Sequence, residues 1–290
     1  NLPVLSANAL GEASFNSIPD SDNIVRRVPL FVGLGGQIYP TLVAETLRIA
    51  QGANTFRIKS SGASGEPSFG EKTGVTAISI GDFEVPTDNQ AAIWLYDTGH
   101  QPGRYIPVWK VMEGEVGPSE LEGRVIFIGT SAEGLRDIRS SPLSTAIPGV
   151  ELHVQALEQI FSGELLTRPD WADGVEVLGM LVLGLIIFFG VRWKRVGATA
   201  TAVLGGAAAA AAIYASWYMF DTQGLLLDPI YPMFAGFTVY LVTTIQSYMQ
   251  TESEKKQIRG AFAQYMSPDM VSKLADNPSL LKLGGEMRDM

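Results

Sequence analysis

Only two histidines, His100 and His153, are present in the chain, and there is no cysteine. Imidazole is the side chain suited to proton handling and metal binding near neutral pH. Neither histidine sits in a metal-spaced cluster. Without thiols there are no disulfides, no thiolate metal sites and no cysteine nucleophile. His153 stands beside Glu151 near the start of a helical pattern, where it reads as an ordinary polar residue or as a ligand or pH-sensing group. Arg26-Arg27 and Asp137 are placed to make ion pairs or to bind a charged effector. Val125-Ile126-Phe127-Ile128-Gly129-Thr130-Ser131-Ala132-Glu133-Gly134 reads as a buried strand entering a glycine-bearing loop. Gly129 and Thr130 there form a structural turn, or they offer backbone N–H groups to an anion. The loop has neither the Lys-Ser/Thr of a phosphate-binding loop nor the glycine spacing of a dinucleotide site. No Ser/His/Asp set and no carboxylate pair marks a catalytic centre. The ligand-binding candidates are therefore Arg26, Arg27, Gly129, Thr130, Asp137 and His153, with no catalytic residue and no metal ligand.

These residues need elements to hold them. Residues 27–32, 75–80, 91–96 and 125–128 are short, β-branched or aromatic runs bounded by turn residues, so they predict strands. Pro86-Thr87-Asp88-Asn89 predicts a hairpin turn between two of them. Leu42, Val43, Thr46, Leu47 and Ala50 share one helical face, as do Val154, Leu157, Ile160 and Phe161. The helices are expected over 41–50 and 150–161, stopped by Gly52 and Gly163. Residues 60–70 are rich in Gly and Ser and read as a mobile loop. The mixed order predicts an α/β or α+β domain over residues 1–170.

Charge divides the chain. Residues 1–174 hold 12 Lys and Arg against 21 Asp and Glu and so carry the entire net charge of −9. An acidic domain of this kind lacks the clustered basic residues that nucleic-acid binding requires. The rest of the chain is charge-balanced and contains three apolar stretches, about 174–191, 197–220 and 229–249. A bilayer core takes about 20 apolar helical residues, so residues 171–251 predict three transmembrane helices in membrane lipid. Arg192-Trp193-Lys194-Arg195 puts three cations between the first two stretches. The turn between the second and third carries only Asp221 and Asp228, and Lys255, Lys256 and Arg259 follow the third. Cytoplasmic loops carry the excess of Lys and Arg. The pattern therefore predicts residues 1–170 outside and residues 252–290 in the cytoplasm of a multi-pass cell-membrane protein. Gly205 and Ala209 form a small-xxx-small pair in the middle span, which predicts close helix packing. The chain begins at Asn1 without a basic leader or apolar signal region. A signal anchor or a first transmembrane helix is expected ahead of it.

After the third stretch Ile258, Phe262 and Tyr265 recur at helical spacing. Ser267-Pro268-Asp269 has the residues of a helix start. The run Arg259-Gly260-Ala261-Phe262-Ala263-Gln264-Tyr265-Met266-Ser267-Pro268, then Asn277-Pro278, then Leu281-Lys282-Leu283-Gly284-Gly285-Glu286 resembles the segment ahead of the catalytic domain of bacterial class III adenylate/guanylate cyclases. Asp22-Asn23-Ile24-Val25-Arg26-Arg27-Val28-Pro29-Leu30, Leu121 to Thr130, Gly134-Leu135-Arg136-Asp137, Pro142-Leu143 and Pro148-Gly149-Val150-Glu151-Leu152-His153 resemble the second type of CHASE sensor domain.

The resemblance implies an extracytoplasmic CHASE-type sensor, three spans and a helical linker leading to a cyclase domain that lies past Met290. It further implies a homodimer responding to an extracytoplasmic ligand or protein. The chain itself would carry no cofactor; the parent enzyme would use ATP and two divalent metals, Mg or Mn, to form cyclic AMP. Phe262, Tyr265, Ser267 and Pro268 would relay the signal. The alternative output, a histidine or Ser/Thr kinase, also occurs behind such a sensor. Residues 250–290 contain no histidine to act as a phosphoacceptor.

Overall fold

The protein is described from a computed structural model, over residues 2–62, 74–131, 137–193 and 197–262. Its elements are α1 (Pro3–Ser6), β1 (Arg27–Pro29), β2 (Phe31–Leu34), β3 (Gln37–Pro40), α2 (Leu42–Ala50), β4 (Phe56–Ser60), β5 (Val75–Ile80), β6 (Phe83–Pro86) and β7 (Ala92–Trp94). After a 3-10 turn, Pro102–Arg104, come α3 (Val108–Met112), α4 (Pro118–Leu121), β8 (Ile138–Arg139), β9 (Ile147–Pro148) and α5 (Gly149–Ser162). Three long helices follow among the described residues: α6 (Ala172–Arg192), α7 (Gly197–Gln223) and α8 (Ile230–Phe262).

Two units divide these elements. The first comprises Asn1–Gly174 together with Ala215–Leu227; the second comprises Val175–Tyr214 and Asp228–Met290.

In the first unit β1 pairs with β7, β2 with β3, β8 with β9, and β4–β5–β6 form a meander. Every one of these pairings is antiparallel, so the domain is α+β. The β2–β3 hairpin turns on Gly35-Gly36, both at positive φ, as its two-residue turn demands. Helices α2 and α5 pack on each other and on this framework. Val43, Ala44 and Leu47 of α2 and Leu152, Ala156 and Ile160 of α5 meet Val28, Ile78, Ile80, Val85 and Ile93 in one apolar core. Thr41 is fully buried at the head of α2 and donates its hydroxyl to Pro29 O at 2.7 Å, which ties the helix start to β1.

Three expectations are corrected. The expected strand 27–32 is two strands that meet at Leu30, whose N–H bonds Ala91 O. The turn at 86–89 is not a hairpin: β6 pairs with β5, whereas β7 pairs with β1. Asp88 shapes that turn by accepting the N–H groups of Gln90 and Ala92. Residues 125–128 form no strand among the described residues. Ile126 is 54 % and Ile128 86 % exposed, and only Phe127 packs on the core. A short apolar run becomes a strand only where a neighbouring edge is free to pair with it. Conversely, β4, where Arg57 and Lys59 alternate with apolar residues, and β6, where Glu84 stands between Phe83 and Val85, are strands that were not expected. Of the expected mobile loop, residues 63–70 lie outside the described residues.

In the second unit α6 packs on α7 and α8 through small residues. A Cβ at Gly190 would stand 3.0 Å from Thr201, one at Gly205 3.8 Å from Ile187, and one at Gly236 2.8 Å from Leu183. Thr201, Gly205 and Ala209 are the covered positions of this α7 face, at four-residue spacing. Leu178, Leu181, Leu185, Phe189, Val203 and Leu204 point outward and are exposed. Such an outer surface suits hydrocarbon rather than water. Among the described residues two helices, Ala172–Arg192 and Ala198–Gln223, are long and apolar enough to cross a membrane. The third expected span, 229–249, begins the longer α8, which is diluted by Thr243, Thr244, Gln246 and Ser247. Pro232 falls in the first turn of α8, where no helical bond is lost. Glu176 accepts the Asp228 N–H at 2.8 Å, and Asp228 in turn accepts the Ile230 N–H.

Candidate functional site

The six ligand-binding candidates fall into two groups. Arg26 and Arg27 flank Asp20, which pairs with Arg26 at 3.0 Å and Arg27 at 2.8 Å. Arg26 also grips Asp22 in a two-pronged pair, and Arg27 reaches Asp88 at 3.1 Å. The Arg27 guanidinium lies over the Trp94 ring. The Arg26 guanidinium and the Ile24 N–H hold the Asp22 carboxyl down at about 2. At Asp20 burial acts upward, but the donors Arg27 and Arg26 outweigh it and hold the carboxyl below its usual range. A shallow cleft of about 260 Å³ opens beside Arg27, lined by Ile18, Pro29, Phe31, Gly33 and Gln90. Ordinary ligand pockets hold about 300–1,000 Å³, so only a small molecule fits. Both guanidinium groups already have carboxylate partners, so a charged effector would have to displace them. Their role in the structure is to join the segment before β1 to the turn before β7.

Gly129, Asp137 and His153 gather at the first turns of α5. A Cβ at Gly129 would stand 2.5 Å from Val150, and one at Gly149 2.4 Å from Asp137 Oδ1. Asp137 O accepts the Gly149 N–H. The Asp137 carboxylate thus lies against Gly149, the first residue of α5, and Thr130 is exposed in the loop. His153 is 3 % exposed; its Nε2 stands 3.0 Å from Phe15 O. That carbonyl can only accept, so Nε2 carries the proton. Burial pushes the imidazole below its usual value. Tyr265, Ser267 and Pro268 lie outside the described residues, as does the side chain of Phe262 at the end of α8.

Sequence reasoning passed over a denser cluster. Glu151, 2 % exposed, accepts from Tyr105 Oη at 2.6 Å and the Gln101 N–H at 3.0 Å, and meets His100 Nδ1 at 2.7 Å. Burial pushes Glu151 up, but the donors Tyr105, His100 and Gln101 outweigh it and hold the carboxyl below its usual range. Burial and the neighbouring carboxylate push the Tyr105 phenol well above its usual value. One turn on, Gln155 Nε2 donates to Gly99 O; a further turn on, Gln159 accepts the Tyr96 N–H and donates to Trp94 O. The buried polar stripe 151–155–159 therefore latches residues 94–105 onto α5. Its signal was present as three polar residues at helical spacing beside apolar Leu152 and Ala156. Among the described residues no group of His, Asp and Glu could hold a metal ion. The arrangement binds and positions backbone.

An α+β domain followed by helices of membrane-crossing length defines the class of a membrane-tethered recognition domain. The family model of the CHASE2 domain matches residues 3–187, and the chain belongs to the CHASE2 domain family. CHASE2 is an extracytoplasmic sensor domain of signalling proteins. The matched region passes residue 170 and takes in most of α6. Neither the curated proteins nor the solved structures give a match.

Proposed function

We propose that this chain is the sensing and transmembrane part of a receptor adenylate cyclase. Its acidic domain lies outside the cell or in the periplasm, and α6, α7 and the first part of α8 cross the inner membrane. The carrying observation is that the CHASE2 match runs without a break into α6. A sensor fused directly to apolar helices has no soluble route for its output. The segregation of basic residues to 192–195 and 255–259 supports a cytoplasmic C-terminal end. The resemblance of residues 259–286 to the cyclase linker supports a homodimeric output domain using ATP and two divalent metals. A signal shifts such a receptor only if it binds two conformations with different affinity.

The absence of native cysteine makes the topology directly testable. Ser119→Cys should label from outside intact cells, and Glu254→Cys only after permeabilisation. Labelling of both from one side rules out the receptor reading. For the output, membranes bearing the chain joined to the natural sequence after Met290 should form cyclic AMP from ATP. Phosphotransfer without cyclic nucleotide would instead establish the kinase output.

A further inference from the structure

The segment between α5 and α6 does more than connect them. Leu166 bridges Trp94 at the end of β7 in the antiparallel sense, while Thr167 bridges Leu225 in the parallel sense. Successive residues of an extended chain direct their main-chain groups to opposite sides. Leu166 therefore serves β7 and Thr167 serves the turn between α7 and α8. The Thr167 N–H donates to Gly224 O at 2.8 Å, and the Leu226 N–H donates back to Thr167 O at 2.8 Å. Arg168 Nη1 donates to Leu226 O at 3.2 Å, and Ser216 Oγ donates to Leu227 O at 2.6 Å. The Tyr96 ring lies parallel to Phe220, with centroids 6.2 Å apart. Gly224 has φ +64, and a Cβ there would stand 2.5 Å from Leu165 O. Only glycine allows both the left-handed cap of α7 and this approach. All these residues belong to the first unit.

We propose that the α7–α8 turn is a built-in element of the sensor, and that sensor motion enters α7 and α8 through Thr167 and Gly224 rather than through α6 alone. The proposal rests on the receptor reading above and specifies its route. The turn occupies a strand position beside 166–167, which lies beside β7, which lies beside β1. A displacement of β7 cannot leave the turn in place without breaking main-chain hydrogen bonds. Helix α8 runs unbroken from Ile230 to Phe262, so movement at its outer end continues toward its far end. Gln159 sits at the head of this route, because it holds both Tyr96 N and Trp94 O.

The test is amide hydrogen exchange in the full chain reconstituted in lipid nanodiscs. Wild type should protect the amides of Thr167 and Leu226. Gln159→Leu, a change within the sensor, should speed exchange at 224–227 by about tenfold, the effect of losing one or two hydrogen bonds. Gly224→Val should do the same and also alter exchange at 250–262. Ile78 and Ile80 should stay as slow as in wild type; if they do not, Arg168→Ala replaces the variant that unfolded and is judged identically. Free exchange at 224–227 in wild type overturns the proposal. So does unchanged exchange there in both variants while the Tyr96 amide is released. Labelling of Asp221→Cys and Glu254→Cys from one side, with 224–227 still protected, separates a failure of the membrane topology from a failure of the docked turn; it overturns the transmembrane route.

Discussion

Two buried ionisable residues of α5 are held in opposite ways. Glu151 is kept charged by three donors, whereas His153 is kept neutral by burial. The lowered carboxyl of Glu151 contributes stability that is fully present above its ordinary value of 4.5 and is lost as pH falls through its folded value. Glu151→Gln replaces an acceptor-only group by one whose amide N–H faces other donors. It should cost about 1–3 kcal/mol and flatten the acid limb of the stability profile, both read from urea denaturation of the full chain between pH 3 and pH 7. The sign at His153 is set by the unfolded chain, which takes up a proton near 6.5 while the folded chain does not. Stability should therefore fall as pH drops below 6.5, until the folded imidazole itself is charged. His153→Gln should remove that slope relative to wild type; an equal slope in the variant would show that His153 stays accessible to protons.

Among the elements, α2 and α5 supply the helical side of the core, but their positions are set by polar side chains. Thr41 joins α2 to β1, and Glu151, Gln155 and Gln159 join α5 to the chain beyond β7. Thr41→Val keeps the side-chain shape and removes one buried hydroxyl bond, leaving Pro29 O short of a donor. The expected loss is about 1–2 kcal/mol, measured as a lower urea midpoint with unchanged slope. A changed slope would mean that α2 had undocked rather than lost one bond. The exposed run at 125–128 belongs to this scale as well: Phe127 anchors it, and Ile126 and Ile128 remain uncovered.

Across the whole molecule, charge and apolarity are separated along the chain. The acidic residues lie mostly before residue 174, and the cations flanking the apolar stretches stand at and just beyond the end of α6 and in the later turns of α8. Orientation in a bilayer follows the Lys and Arg of short loops. Replacing Arg192, Lys194 and Arg195 together with Ser should raise the fraction of chains inserted the wrong way round. That fraction is read by outside labelling of Glu254→Cys. If orientation stays uniform, the basic residues of 255–259 are sufficient to set it.

Local pattern determined the two main helices of the domain, strand β5, the long apolar helices, their small-residue packing face and the family. Each of these depends on periodicity, length or motif within a short stretch of chain. The tertiary structure alone decided which strands pair. It also decided that Arg26 and Arg27 are consumed by Asp20, Asp22 and Asp88, that Asp137 packs against Gly149 at the start of α5, and that Glu151 gathers Tyr105, His100 and Gln101. Those outcomes depend on partners such as Tyr105 and Glu151, or Thr167 and Gly224, which sit far apart in sequence. Hydrogen bonding and burial are properties of the neighbours a residue acquires, and no residue's own type or spacing specifies them.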